Sequence, residues 1–280
     1  MRYSAIAIFL FLLISCNDHS GKRSRTNGDN IDTVKKTAAY KMEISYANQI
    51  TRAGKEITFK LRPVNIADKS IGILETIHEK KIHLIVVSTD LSYFRHLHPD
   101  ADTGGKYSIR IAFPHGGHYL LFADYKAQGA IQKADTTGID VAGDTVPAIK
   151  YTIAKMSSPV DGFTATLSTK NAGLTTNNEN MLLLKLTKKG DRILPAQLQN
   201  YLGEKAHMVI INPQTRQYIH VHPISDDTSI MFHTSFTDAG IYRGWVEFKM
   251  NNAVHTADFV LEVTPGVKKD DNGMGDMHGH

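Results

Sequence analysis

Apolar and polar positions alternate with period two through Ile57-Thr58-Phe59-Lys60-Leu61, Tyr107-Ser108-Ile109-Arg110-Ile111 and Phe163-Thr164-Ala165-Thr166-Leu167. Successive side chains of a strand point to opposite faces, so this pattern predicts half-buried β-strands. Leu84 to Val87 and Val209 to Ile211 are instead unbroken apolar runs rich in β-branched residues, which suit central strands covered on both faces. Thr89-Asp90-Leu91-Ser92 and Asn212-Pro213-Gln214-Thr215 supply turn-forming residues after those runs. No stretch carries a convincing amphipathic helical period.

The pattern occurs twice. Lys81-Ile82-His83-Leu84-Ile85-Val86-Val87 aligns with Lys205-Ala206-His207-Met208-Val209-Ile210-Ile211, and His96-Leu97-His98-Pro99 with His220-Val221-His222-Pro223, both at an offset of 124. Phe113, Gly117, Tyr119, Phe122 and Lys126 align with Phe236, Gly240, Tyr242, Trp245 and Lys249 at an offset of 123. The chain therefore reads as all-β: two tandem immunoglobulin-like β-sandwich units, over 37–145 and 146–265.

The ends differ in character. Arg2 is followed by an apolar run from Ala5 to Ser15 that is too short for a bilayer span of about 20 residues and fits a signal-peptide core. It closes on Leu13-Ile14-Ser15-Cys16, which resembles the lipobox of bacterial lipoproteins. The expectation is a signal peptide over 1–15, lipidation of Cys16 and a flexible polar tether over 16–36. A Met- and His-containing tail occupies 266–280. Cys16 is the sole cysteine, so the chain has no disulfide pair, no Cys-based zinc site and no thiol nucleophile beyond the anchor. A formal net charge of +4 is too small a surplus to argue for nucleic acid.

The candidate chemistry lies in the fourteen histidines. His96 and His98, two apart on a strand, share one face. A hairpin centred near Asp90-Leu91 brings His83 opposite His98, so three imidazoles converge. The same construction gathers His207, His220 and His222. Three neutral imidazoles suit Cu(II), Zn(II) or Ni(II), with an open fourth position for which His115 and His118 are candidates in the first unit. The matching positions in the second unit are Asp238 and Ile241, so the two sites are expected to differ. Met274, Met277, His278 and His280 add soft thioethers and imidazoles in the tail, a mixture that favours copper over zinc.

The segment from His83 to Pro99, followed by Phe113 to Ala123, resembles the YtkA-like group of bacterial secreted β-sandwich proteins. Related modules occur in proteins of heavy-metal and copper handling. The resemblance implies an immunoglobulin-like fold outside the cytoplasm. The expected protein is thus a non-enzymatic, lipid-anchored metal binder of the cell envelope, facing the periplasm or the surface, at the outer membrane. Its partners would be the membrane, a copper or zinc ion and envelope proteins. The competing expectation is a tandem interaction or adhesion scaffold in which the histidines are structural. A metal-dependent hydrolase or oxygen-activating enzyme is a third reading, for which Glu75, Glu79 or Asp124 could serve as acid or base beside the metal. No Ser-His-Asp order, phosphate loop or dinucleotide fingerprint is present.

Overall fold

A computed structural model describes residues 39–47, 50–170 and 173–267. Cys16, Met274, Met277, His278 and His280 lie outside the described residues. The first repeat runs β1 (Tyr40–Tyr46), β2 (Glu56–Asn65), β3 (Ile82–Ser88), β4 (Phe94–Leu97), β5 (Asp100–Ala101), β6 (Tyr107–Ala112), β7 (Gly117–Tyr125) and β8 (Lys133–Val141). The second runs β9 (Ser157–Val160), β10 (Phe163–Thr169), β11 (Leu174–Thr175), β12 (Glu179–Lys188), β13 (Asp191–Ile193), β14 (Ala206–Ile211), β15 (Tyr218–Val221), β16 (Pro223–Ser225), β17 (Ile230–Ser235), β18 (Gly240–Met250) and β19 (Ala253–Thr264).

Each repeat is a sandwich of two sheets. In the first, β1-β2-β6-β5 packs on β4-β3-β7-β8. In the second, β9-β10-β12-β17-β16 packs on β11-β19-β18-β14-β15. The predicted alternating strands fall within β2, β6 and β10, with Phe59, Leu61, Ile111, Phe163, Ala165 and Leu167 buried. The chain switches sheets at the His-Pro steps. β4 pairs with β3, but β5, immediately after Pro99, pairs with β6 of the opposite sheet. Pro223 likewise opens β16, an edge strand on β17, where a missing N–H is tolerated. Tyr119 and Tyr242 donate from their hydroxyls to the backbone oxygens of His115 and Asp238, four residues upstream in each case.

The continuous apolar runs have a specific cause. Leu84 and Val86 of β3 enter the first core and Met208 and Ile210 of β14 the second. Ile85, Val87, Val209 and Ile211 point the other way, into a third core with Leu91, Phe122 and Trp245. The two repeats are thus packed sheet against sheet. Phe94 stacks on Trp245 at 4.5 Å between ring centroids, and Phe122 on Tyr218 at 5.2 Å. Phe94 corresponds to Tyr218 and Phe122 to Trp245 in the repeat alignment. The two stacks are therefore one contact made reciprocally, as a pseudo-two-fold interface requires.

Candidate metal centre

The histidines occupy one end of this interface. The β3–β4 register pairs Leu84 with Leu97 and Ile85 with His96, which puts His83 across from His98. In β14–β15, Met208 pairs with Val221 and Val209 with His220, which puts His207 across from His222. Because His83 shares the face of Ile85 and Val87, each triad looks out of its own sandwich and toward the other repeat.

The ligand-capable nitrogens of His83, His96 and His98 lie within 4.8 Å of one another, as do those of His207, His220 and His222. Their other ring nitrogens fix the tautomers. His83 Nε2 donates to the Ile77 carbonyl at 3.0 Å and His207 Nε2 to the equivalent Tyr201 carbonyl at 2.9 Å. His96 Nδ1 donates to Glu247 at 2.5 Å and His220 Nδ1 to Asp124 at 2.9 Å. A neutral imidazole has one N–H, so the lone pairs left over are His83 Nδ1, His96 Nε2, His207 Nδ1 and His220 Nε2. Of these, His207 Nδ1 and His220 Nε2 are buried without a hydrogen-bond partner, as are His98 Nε2 and His222 Nε2. His83 Nδ1 and His96 Nε2 face each other at 3.0 Å. With both protons committed elsewhere, the two lone pairs repel unless a positive charge, a metal ion or one further proton, lies between them. Two imidazoles on one tetrahedral ion at about 2.0–2.1 Å would place their nitrogens roughly 3.3 Å apart.

Burial keeps the rings of His83, His98, His207 and His222 neutral, the form that ligates. It pushes His83 down to about 3, with the nearby His220 adding to the effect. Burial and the neighbouring His96 lower His98 to about 2. Burial and His220 lower His207 and His222 to about 3. Burial works against the Asp124 carboxylate, but the hydrogen bonds it accepts from His220 and Gln132 outweigh it and hold its pKa below the ordinary range. Carboxylate–histidine pairs of this kind orient metal ligands and raise their basicity. Here the pairs are exchanged: Asp124 of the first repeat holds His220 of the second, and Glu247 of the second holds His96 of the first. A cleft of about 410 Å³ lined by Asp124, Lys133, Arg216 and His220 opens beside one of these pairs.

The sequence profile of a family described as a domain of unknown function (DUF8832) matches residues 35–142 and again 158–265. The chain belongs to the DUF8832 family. No curated protein matches the sequence. Solved structures similar to the tandem DUF8832 repeats include the Escherichia coli adhesin FdeC, at 13% identity and a TM-score of 0.28, covering 80% of this chain and 65% of that one. The chain therefore spans about 65% of the adhesin's length. Others are the fibronectin(III)-like modules of Clostridium thermocellum CbhA, at 13% identity, covering 85% and 100% with a TM-score of 0.22, and two fibronectin type III domains of chicken tenascin, at 12% identity, covering 79% and 97% with a TM-score of 0.23.

Within the DUF8832 repeats the six triad histidines fall where the hairpin construction puts them. His118 does not join them. In β7 it stands six residues from Asp124, which is the position opposite His83, so it lies about 20 Å along the sheet from the triad. It is exposed and donates to Asp140 at 2.7 Å; His115, also exposed, lies at that same end.

Three further residues belong to the centre, and the hairpin spacing places none of them there. Asp124 and Glu247 align at an offset of 123 and each interrupts an otherwise apolar stretch, Leu121-Phe122-Ala123 or Trp245-Val246. That is the available signal, since a carboxylate in a central strand requires a partner. The third is His78, whose ring stacks on His222 at 3.5 Å and meets His207 at 5.6 Å and His83 at 6.5 Å. Its counterpart is Leu202, so nothing in the repeat marks it.

Proposed function

We propose that this DUF8832 protein is a lipid-anchored, extracytoplasmic transition-metal binder, without catalytic activity of its own, that serves metal handling or resistance at the cell envelope. The observation that carries the metal reading is the set of six inward-facing ring nitrogens whose protons are committed elsewhere or whose atoms are buried without a partner. An all-imidazole set suits copper(II) and zinc alike. The likeness of the His83–Pro99 segment to YtkA-like modules and the thioethers of Met274 and Met277 favour copper. The lipobox ending at Cys16 supports the anchor, with the outer membrane as the proposed site.

The test is a titration of the metal-free full-length chain with Cu(II) and Zn(II) at pH 7.5, by calorimetry and chelator competition. A variant with Met274, Met277, His278 and His280 replaced by Ala separates the tail from the triads. Two ions of submicromolar affinity should bind that variant. His96→Ala/His98→Ala and His220→Ala/His222→Ala should each abolish one of them. If the variants change thermal stability alone and the parent binds no more tightly than surface histidines, the triads are scaffold and the protein is an interaction module.

A further inference from the structure

The gap between the triads is no wider than the gaps inside them. Within the first triad the ring centroids lie 4.6 to 5.2 Å apart, and within the second 4.5 to 5.9 Å. Across the repeat boundary His83 stands 5.0 Å from His220, and His96 stands 5.8 Å from His220. The six rings form one continuous cluster, and His78 touches both halves of it.

Asp124 and Glu247 sit behind His220 and His96, on the Nδ1 side of each ring. An ion bound by three imidazoles keeps a vacant coordination position. Two such ions in adjoining triads, facing one another across a pseudo-two-fold axis, can share a small bridging ligand such as water or an inorganic anion. Two-metal sites are built with the ions about 3.5–4 Å apart.

We propose that the two triads form a single dinuclear centre whose two ions are coupled, assembled only because the repeats dock face to face. This rests on the metal-binding reading above and adds that the two sites are not independent. The centre is also lopsided. His78 stacks on His222 of the second triad and meets the first only edge-on at His83, and the corresponding Leu202 offers no donor, so the two ions differ in surroundings. His78 and Glu79 form a two-residue turn with φ of 48° and 65°, held by paired Ile77–Lys80 backbone hydrogen bonds. Left-handed backbone is uncommon outside glycine, and histidine is one of the residues that adopt it more readily; here the turn carries an imidazole onto the centre.

The experiment is electron paramagnetic resonance of the full-length chain with the four tail residues replaced by Ala, loaded with two equivalents of Cu(II). Bound copper is counted independently. The expected result is two coppers per chain with either a spin count well below two or a half-field signal from a coupled pair. In His96→Ala/His98→Ala, and separately in His220→Ala/His222→Ala, one copper should remain and be fully visible, with no half-field signal. Circular dichroism verifies that each variant is folded, and the parent spectrum alone decides the matter if one is not. Two coppers that are both fully visible, without a half-field signal, overturn the coupled pair and leave the metal-binding reading intact. A single copper lost in either variant does the same. No bound copper overturns the dinuclear centre for that metal, and the zinc titration then decides the metal-binding reading by itself.

Discussion

Asp124 accepts a hydrogen bond at 2.9 Å from Nδ1 of His220, a residue of the other repeat. The side chains of both are almost wholly buried, at 4% and 3% exposure. In its own repeat Asp124 stands opposite His83 on the neighbouring strand, yet its carboxylate crosses the boundary. Glu247, opposite His207, crosses the other way to His96. The metal affinities should respond accordingly. Asp124→Asn is expected to weaken the ion at His207, His220 and His222, and Glu247→Gln the ion at His83, His96 and His98, each by about 10- to 100-fold. Calorimetry in the background of the opposite triad's double-alanine variant assigns each effect. If each substitution weakened its own repeat's triad instead, the exchange would carry no functional weight.

Acid should destabilise the metal-free protein. His83, His98, His207 and His222 have pKa values lowered to about 2 or 3 in the fold, against about 6.5 when unfolded. Above pH 6.5 both states are neutral and no stability is at stake. As pH falls below 6.5 the unfolded chain takes up protons that the folded chain refuses, so stability drops until about pH 3. Each histidine contributes about 1 kcal/mol for each pH unit. Urea denaturation at pH 7.5 and pH 5.5 should show the loss, and His98→Leu/His222→Leu should reduce it. Equal midpoints at both pH values would contradict buried neutral rings.

The interface has a built-in reporter. Trp245 is the only tryptophan, it is 3% exposed, and it belongs to the core between the repeats rather than to either sandwich core. Trp245→Ala should cost about 3–5 kcal/mol and lower metal affinity at both triads, because the docking that brings them together is weakened. Phe94→Trp in that background should restore part of the loss. In the parent protein Trp245 fluorescence should follow undocking. A red shift that precedes loss of far-ultraviolet circular dichroism would show that the repeats separate before they unfold.

The strained turn offers a gain in stability. Glu79 is exposed and non-glycine at φ 65°, whereas its counterpart Gly203 adopts φ 83° at no steric cost. Glu79→Gly should stabilise the protein by about 0.5–1 kcal/mol, as the relief of left-handed backbone exceeds the flexibility added to the unfolded chain. Chemical denaturation of the metal-free form measures it. A loss of stability would mean that the Glu79 side chain, which packs near Gly203, contributes more than the strain it carries.

The contents of each half-site follow from spacing along the chain. Period-two alternation is a local property of strands, and the turn after Val87 or Ile211 sets the hairpin register, so the convergence of His83 with His96 and His98, and of His207 with His220 and His222, was legible from spacing. The repeat made both hairpins visible together. The tertiary structure decided what those faces meet. The unbroken run from Leu84 to Val87 marked a strand covered on both sides, but whether a helix, a sheet or another chain covers it depends on non-local packing, here the Phe94–Trp245 and Phe122–Tyr218 stacks. The same packing turned Asp124 and Glu247 toward histidines about a hundred or more positions distant, brought His78 over the second triad, and left His118 at the far end of β7. Periodicity gives the face on which a side chain lies; only the docking of one sheet on another gives its neighbours across that face.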